Sequence, residues 1–301
     1  MPDRIHGVAV DAGSGLEASI RAARGSDAKS DDLLAFKRTV LETLGPDAST
    51  VLVDATCGPD LLQNYPAGCD RMLAFEADVY HISDADRITV LPDSFQVSDY
   101  PGMGVKQLKF FMYYAPDDDP DLNQRKHDLV ADIGQRCRDA GIRYLMEPLV
   151  YHPDVTPGGA DFAALKPDLV RRATAAFADP KFQVDVLKVE VPVDLNFVEG
   201  FGTGQMSRTQ ALDAFQQAAE AANGIDLVYL SAGVTFDRFE ASLKLAVEAE
   251  VDFAGFMCGR AIWSDGVAVF GAEGERALRN WLDQTGRDRL HRLIAALERK
   301  A

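Results

Sequence analysis

A lysine sits in the middle of "VDVLKVEVPV", residues 184–193, with Leu187 and Val189 on either side. A strand this apolar and β-branched reads as covered on both faces, as in a parallel sheet. An ammonium there loses its water, at a cost of several kcal/mol or a large pKa shift. A second lysine, Lys109, has the same setting in "QLKFFMYY". Lys106 lies three residues earlier, on the opposite parity of that run, so only one of the two points inward; Lys109 is the deeper. A pair of buried lysines has a definite chemical use. A free lysine of pKa ~10.4 is almost wholly protonated at neutral pH. Burial and a neighbouring ammonium are expected to bring Lys188 to ~7–8 and to raise the neutral, nucleophilic fraction several-hundredfold. A neutral amine attacks a ketone, and the resulting iminium is an electron sink that makes an adjacent C–C bond breakable. The structural alternative for Lys188 is an ion pair with Glu190 or Asp11, because ion-pair networks perturb lysines too.

Eight short apolar runs position these groups: 6–11, 50–54, 71–76, 107–114, 143–148, 184–192, 226–233 and 252–260. Helical spacing fills most of the gaps, as in "DDLLAFKRTVLETL", "RKHDLVADIGQRCRDAG", "SRTQALDAFQQAAEAANG" and "FDRFEASLKLAVEAE". Ser207 reads as a helix cap, and Gly141 and Gly224 as helix stops. Eight strands alternating with helices over 301 residues is the count of a single-domain (β/α)8 TIM barrel spanning 1–301. A doubly wound sheet is the rival, but "VDAGSGLEAS" lacks the full glycine fingerprint, and "GFGTGQ" (200–205) reads as a flexible loop over a site.

In a barrel the catalytic groups stand at the C-terminal ends of the strands. The polar residues found there are Asp11, Asp54, Glu76, Lys109, Glu147, Lys188, Glu190, Ser231 and Arg260. "YLSAGV" and "CGRAIW" end the seventh and eighth runs. Their small residues expose backbone N–H groups, and Arg260 adds a fork of donors, a combination suited to phosphate.

Charge narrows the partners. The chain carries 31 basic and 47 acidic residues, a net of −16, which disfavours nucleic acid and anionic membranes. Four cysteines without CxxC pairing, no leader segment and no long apolar run point to a reducing cytoplasm. The five histidines show no close pair, so neither a metal nor another cofactor is expected. A homo-oligomer is compatible with the sequence, which does not specify one.

The segments "FQVDVLKVEVPVDLNFVEGF", "LKFFMYY", "YLSAGVTFDRFEASLKLAVEA" and "GFMCGRAIWSDGVAVF" resemble the tagatose 1,6-bisphosphate aldolase family of class I aldolases, in order and over nearly the whole chain. The resemblance implies a (β/α)8 barrel that splits a ketose 1,6-bisphosphate or ketose 1-phosphate into dihydroxyacetone phosphate and an aldehyde. It places the Schiff-base lysine at Lys188, the second active-site lysine at Lys109, the acid/base glutamate at Glu147 in "LMEPLVY" and the first-strand aspartate at Asp11. It places phosphate binding at Ser231, Ala232, Gly233, Gly259 and Arg260; Glu190, facing the same way as Lys188, joins the substrate-binding set. The first strand departs from the family pattern. Where the family continues Asp-Gln-Arg, this chain reads Asp11-Ala12-Gly13, which removes a cation and an amide donor. Weaker discrimination for a 6-phosphate is therefore expected, and the family also contains aldolases for 6-deoxy-6-sulfofructose 1-phosphate. Arg21, Arg24 and Lys29 are the nearest cations in sequence. A sugar-phosphate sensor that has lost turnover is the alternative outside enzymes; both lysines and Glu147 argue against it.

Overall fold

The structure, a computed structural model, describes residues 4–298. Eight parallel strands close into one barrel in sequence order. They are β1 (Ile5–Val10), β2 (Thr50–Val53), β3 (Asp70–Ala74), β4 (Gln107–Tyr114), β5 (Arg143–Val150), β6 (Val186–Glu190), β7 (Asp226–Leu230) and β8 (Gly255–Cys258). Each falls within or at the edge of one of the eight apolar runs. The barrel closes where β8 pairs with β1 in the register Ile5↔Gly255 to Val8↔Cys258. Gly255 has a φ of 146°, and a Cβ there would lie 2.0 Å from the Ile5 carbonyl oxygen. Only glycine permits that approach.

The surrounding helices are α1 (Ser14–Arg24), α2 (Asp32–Leu44), α3 (Gly58–Leu61), α4 (Pro120–Ala140), α5 (Ala160–Phe177), α6 (Arg208–Ala221), α7 (Phe236–Glu248), α8 (Arg260–Trp263), α9 (Gly266–Glu273), α10 (Glu275–Trp281) and α11 (Arg287–Ala296). None of them is long and apolar enough to cross a membrane. Their starts follow from local chemistry. Asp119 accepts hydrogen bonds from the N–H groups of Asp121 and Leu122 (2.9 and 3.0 Å), with Pro120 in the first turn where no N–H is needed. Ser207 Oγ accepts from the Gln210 N–H at 3.2 Å, and Gln210 Oε1 accepts from the Ser207 N–H at 2.8 Å, a full capping box. Gly141 stops α4 in the left-handed region (φ 66°). At the end of α6 Asn223 already turns left-handed, one residue before Gly224.

Two cores result. The larger lies between strands and helices. A smaller plug fills the barrel itself, from Ile5, Leu52, Met72, Leu145, Val186, Val228 and Met257 among others. The charged mouth rests on this plug.

Three features depart from the sequence reading. Helix α5 carries Pro167 in its interior, which interrupts the helical signal there. The connection from β3 to β4 contains no α-helix; it runs over 75–106 with 3-10 turns at Val79–His81 and Val97–Asp99. The loop 200–205 does not line the barrel mouth. Gly202 instead packs onto the Asn196 backbone, where a Cβ would meet the carbonyl oxygen at 1.9 Å.

Candidate active site

The strand ends surround a cavity of about 710 Å³ at the C-terminal mouth of the barrel. Asp11, Glu76, Lys109, Glu147, Lys188, Glu190, Ser231, Ala232, Gly233, Gly259 and Arg260 all line it. Strand parity decides which lysine enters: Lys109 is only 2% exposed, whereas Lys106 faces solvent. Lys188, on β6, is 4% exposed.

Both lysines meet at one carboxylate oxygen. Glu147 Oε2 lies 2.8 Å from Lys109 Nζ and accepts a hydrogen bond from Lys188 Nζ at 3.0 Å. The partner of Lys188 is thus Glu147, not Glu190 or Asp11. The second ammonium also does not confront Lys188 bare, because the same carboxylate touches both. Lys109 donates further to Asp11 Oδ2 at 3.0 Å and to Glu76 Oε1. Three carboxylates thus converge on one ammonium. Burial alone would push Lys109 down, but Glu147, Glu76 and Asp11 outweigh it and hold the group well above its ordinary pKa. Lys109 is a permanent cation.

The carboxylates respond unequally. Burial pushes Asp11 up, yet the charges of Lys109 and Lys188 prevail and hold it well below the usual carboxylate range. At Glu76 burial wins over the attraction of Lys109, and Asp11 and Glu147 add repulsion; its pKa is raised to about 7. Glu76 also accepts the Phe111 N–H at 3.3 Å. It is a buried carboxyl poised to hold or release a proton near neutrality. The sequence placed Glu76 at the mouth without a role, since its burial depends on the loop over β3.

Glu190 lines the same wall, but its oxygens are engaged: one accepts the Val150 N–H at 2.9 Å and the other lies 3.3 Å from Lys166 Nζ. Lys166, from α5, had no signal in the sequence because its helix was hidden. Asp54 pairs with the fully buried Lys37 of α2 and accepts the N–H groups of Thr56 and Cys57 at 3.2 Å each, so it holds the wall of the mouth.

The segment after β7 turns sharply. Ala232 (φ 47°) and Gly233 (φ 79°) are both left-handed, and the Val234 N–H bonds back to the Ser231 carbonyl at 3.0 Å. For alanine that conformation costs roughly 1–2 kcal/mol. The turn is bare where Arg260 crosses it: a Cβ on Gly233 would lie 3.0 Å from Arg260 Nη2. Trp263 fixes the next turn by donating Nε1–H to the Ala9 carbonyl at 2.8 Å. Small residues, an exposed guanidinium and the start of α8 thus meet on one side of the cavity.

A closed parallel barrel with paired lysines among carboxylates at its C-terminal mouth defines a barrel of the aldolase class. A family model described as DeoC/LacD family aldolase matches residues 6–265, and the chain belongs to that family. Curated relatives named tagatose 1,6-diphosphate aldolase include one from Listeria monocytogenes serotype 4b (strain F2365), 34% identical over 305 residues, covering 99% of this chain and 88% of that protein. Another, from Lactococcus lactis subsp. lactis, is 34% identical over 269 residues, 88% of this chain and 82% of that one. A third, from Staphylococcus aureus (strain JH9), is 35% identical over 254 residues, 83% and 78%. Among solved structures, a fructose-bisphosphate aldolase from Plasmodium falciparum superposes with a TM-score of 0.68 over 98% of this chain and 91% of that one, at 13% identity. That likeness speaks to the fold alone, and it is the same barrel.

Proposed function

We propose that the protein is a Schiff-base aldolase that cleaves a ketose 1,6-bisphosphate or ketose 1-phosphate of the tagatose type to dihydroxyacetone phosphate and an aldehyde. The observation that carries this reading is the shared oxygen of Glu147, which contacts the nucleophile Lys188 and the fixed cation Lys109 together. The relatives named tagatose 1,6-diphosphate aldolase supply the substrate class.

The chemistry follows from the geometry. Lys188 passes a proton to Glu147 and attacks the C2 ketone; Glu147 returns that proton to the carbinolamine hydroxyl, which leaves as water, so the iminium forms and Glu147 is again a carboxylate. Glu147 then takes the proton from the C4 hydroxyl, the C3–C4 electron pair moves into the iminium, and the aldehyde departs. The enamine is protonated at C3 and hydrolysed, which frees dihydroxyacetone phosphate and Lys188. Lys109 holds Glu147 in place and keeps Asp11 ionised, and Asp11 orients the sugar hydroxyls. Glu76, with its pKa near 7, holds a proton beside the cluster. The turn Ser231–Gly233, Gly259 and Arg260 receive the phosphate. The ammonium of Lys109 already sits where three carboxylates converge, so the site supplies its own positive charge. The four cysteines are unpaired and buried, which suits a reducing compartment, the cytoplasm.

The test is cleavage of tagatose 1,6-bisphosphate and fructose 1,6-bisphosphate, followed through dihydroxyacetone phosphate release. Turnover of a ketose phosphate is expected. A protein that binds these sugars and cleaves none of them would instead be the sensor.

A further inference from the structure

The cavity holds four cationic side chains among its lining residues: Lys109, Lys188, Arg87 and Arg260. The two lysines are neutralised by Asp11, Glu76 and Glu147. The two arginines have no carboxylate within ion-pair distance among the described residues. In a chain of net charge −16, two unneutralised guanidiniums at one mouth call for an explanation.

Arg260 follows β8, opens α8 and crosses the turn after β7. Arg87 comes from the long β3–β4 connection. Its backbone is left-handed, φ 50°, a strained conformation for a side chain of this size, and its N–H bonds to the Ser83 carbonyl at 2.9 Å. The guanidinium lies 4.1 Å above the ring of Tyr151 and 5.7 Å from that of Tyr113. Tyr151 is itself held from behind: its hydroxyl donates to Asp118 and accepts from the fully buried Lys126 at 3.0 Å. Of the neighbouring carboxylates, Asp118 accepts from Tyr151, Asp86 turns to Arg125 at 3.6 Å, and Asp84 lines the cavity beyond ion-pair distance of Arg87. Stacking fixes the plane of Arg87 and leaves its edge donors to the cavity. Tyr113 and Tyr151 stand at the C-terminal ends of β4 and β5, across the closed barrel from β8, which Arg260 follows, so the two cations face the cavity from different sides.

The first strand shows why a cation was needed there. The N-terminus of α1, beside Ala12 and Gly13, would attract an anion. It is occupied instead by Asp78, whose carboxylate accepts the Ser14 N–H at 2.7 Å. A Cβ on Gly13 would lie 2.8 Å from that carboxylate, and one on Gly15 only 2.3 Å from the Tyr80 ring. The glycines form a floor on which the β3–β4 connection settles. Arg21 and Arg24 are spent elsewhere, on Glu17 and Asp32, and do not line the cavity.

We infer that Arg87, stacked on Tyr151, binds a tetrahedral oxyanion, phosphate or sulfonate, on the substrate carbon farthest from the one that Arg260 receives. This rests on the aldolase reading for the identity of the substrate, but not for the existence of the second anion site. Binding of fructose 1,6-bisphosphate and of fructose 1-phosphate should be measured calorimetrically for the wild type, R87M and R260M, alongside cleavage kinetics. Losing a charge-assisted contact should weaken bisphosphate binding about ten- to a hundredfold in R87M, and leave fructose 1-phosphate within about twofold. KM for the bisphosphate should rise while kcat holds. R260M should weaken both ligands. A parallel titration with 6-deoxy-6-sulfofructose 1-phosphate tells phosphate from sulfonate: the tighter of the two is the one whose advantage R87M removes. Binding that depends on Arg87 without any cleavage would sustain this inference and end the aldolase reading. Equal loss of the mono- and bisphosphate in R87M, no loss of either, or a wild type that binds neither, would overturn it.

Discussion

Replacing Lys109 by methionine keeps the length of the side chain and removes its charge from among three carboxylates. Lys109 is 2% exposed, and Asp11, Glu76 and Glu147 all touch its Nζ. Breaking a buried ion pair by removing one partner costs about 3–5 kcal/mol, because the charges left behind have no compensation. The unfolding entropy of a 301-residue chain is about 0.63 kcal/mol/K, so the melting temperature should fall by about 5–8 °C at pH 8. The loss should shrink in acid. Without Lys109, Glu76 loses the attraction that opposes its burial, so its pKa rises further above that of the unfolded chain. Its contribution to stability is then full at low pH and is lost as pH rises through the folded value. In the wild type Asp11 behaves oppositely: it is held low, so its contribution is full above the usual carboxylate range and is lost in strong acid. Glu76, at about 7 even with Lys109 present, sets the upper edge of the window. Calorimetric scans of both proteins at pH 8 and pH 5.5 provide the assay. A deficit equal at both pH values, or below about 1 °C at pH 8, would refute the assignment of Lys109 as the cation that neutralises this cluster.

Arg260→Ala should raise KM for a ketose phosphate about ten- to a hundredfold with little change in kcat, because a phosphate contact made alike in ground and transition states is uniform binding; steady-state kinetics decide it, and an unchanged KM moves the phosphate elsewhere. Glu147→Gln should lower kcat by about 10²–10⁴, since the carboxamide cannot take the C4 hydroxyl proton, and the covalent adduct at Lys188 should form more slowly but still be trapped on long incubation. Cleavage should survive exhaustive treatment with EDTA, because the iminium serves as the electron sink; activity lost to the chelator and restored by zinc would contradict that chemistry.

Much of this site was legible because it depends on strand parity and order. Lys109 separates from Lys106 by parity together with its depth in the run, and Lys188 stands out against Leu187 and Val189. The contacts between strands were not legible. Glu147 meets both lysines because its side chain rises above the register Lys109↔Leu145↔Val186, and only the closed barrel sets that height. Glu76 reads in sequence as one more carboxylate; its high pKa comes from burial. Lys37 reads as the polar side of an amphipathic helix, yet it is fully buried and neutralises Asp54. Arg87 lies in a connection with neither helical nor strand periodicity, so nothing in its spacing could place it over Tyr151.

The central claim is that Lys188 forms the covalent bond to substrate. Borohydride reduction in the presence of dihydroxyacetone phosphate or a ketose bisphosphate, followed by peptide mass mapping, tests it at the atom concerned. The adduct should fall on the peptide containing "VLKVE", at Lys188, and should be absent from a folded Lys188→Ala protein that no longer cleaves the sugar. Labelling of Lys109 or Lys106 that spares Lys188, or cleavage that proceeds with no reducible adduct at all, would contradict it.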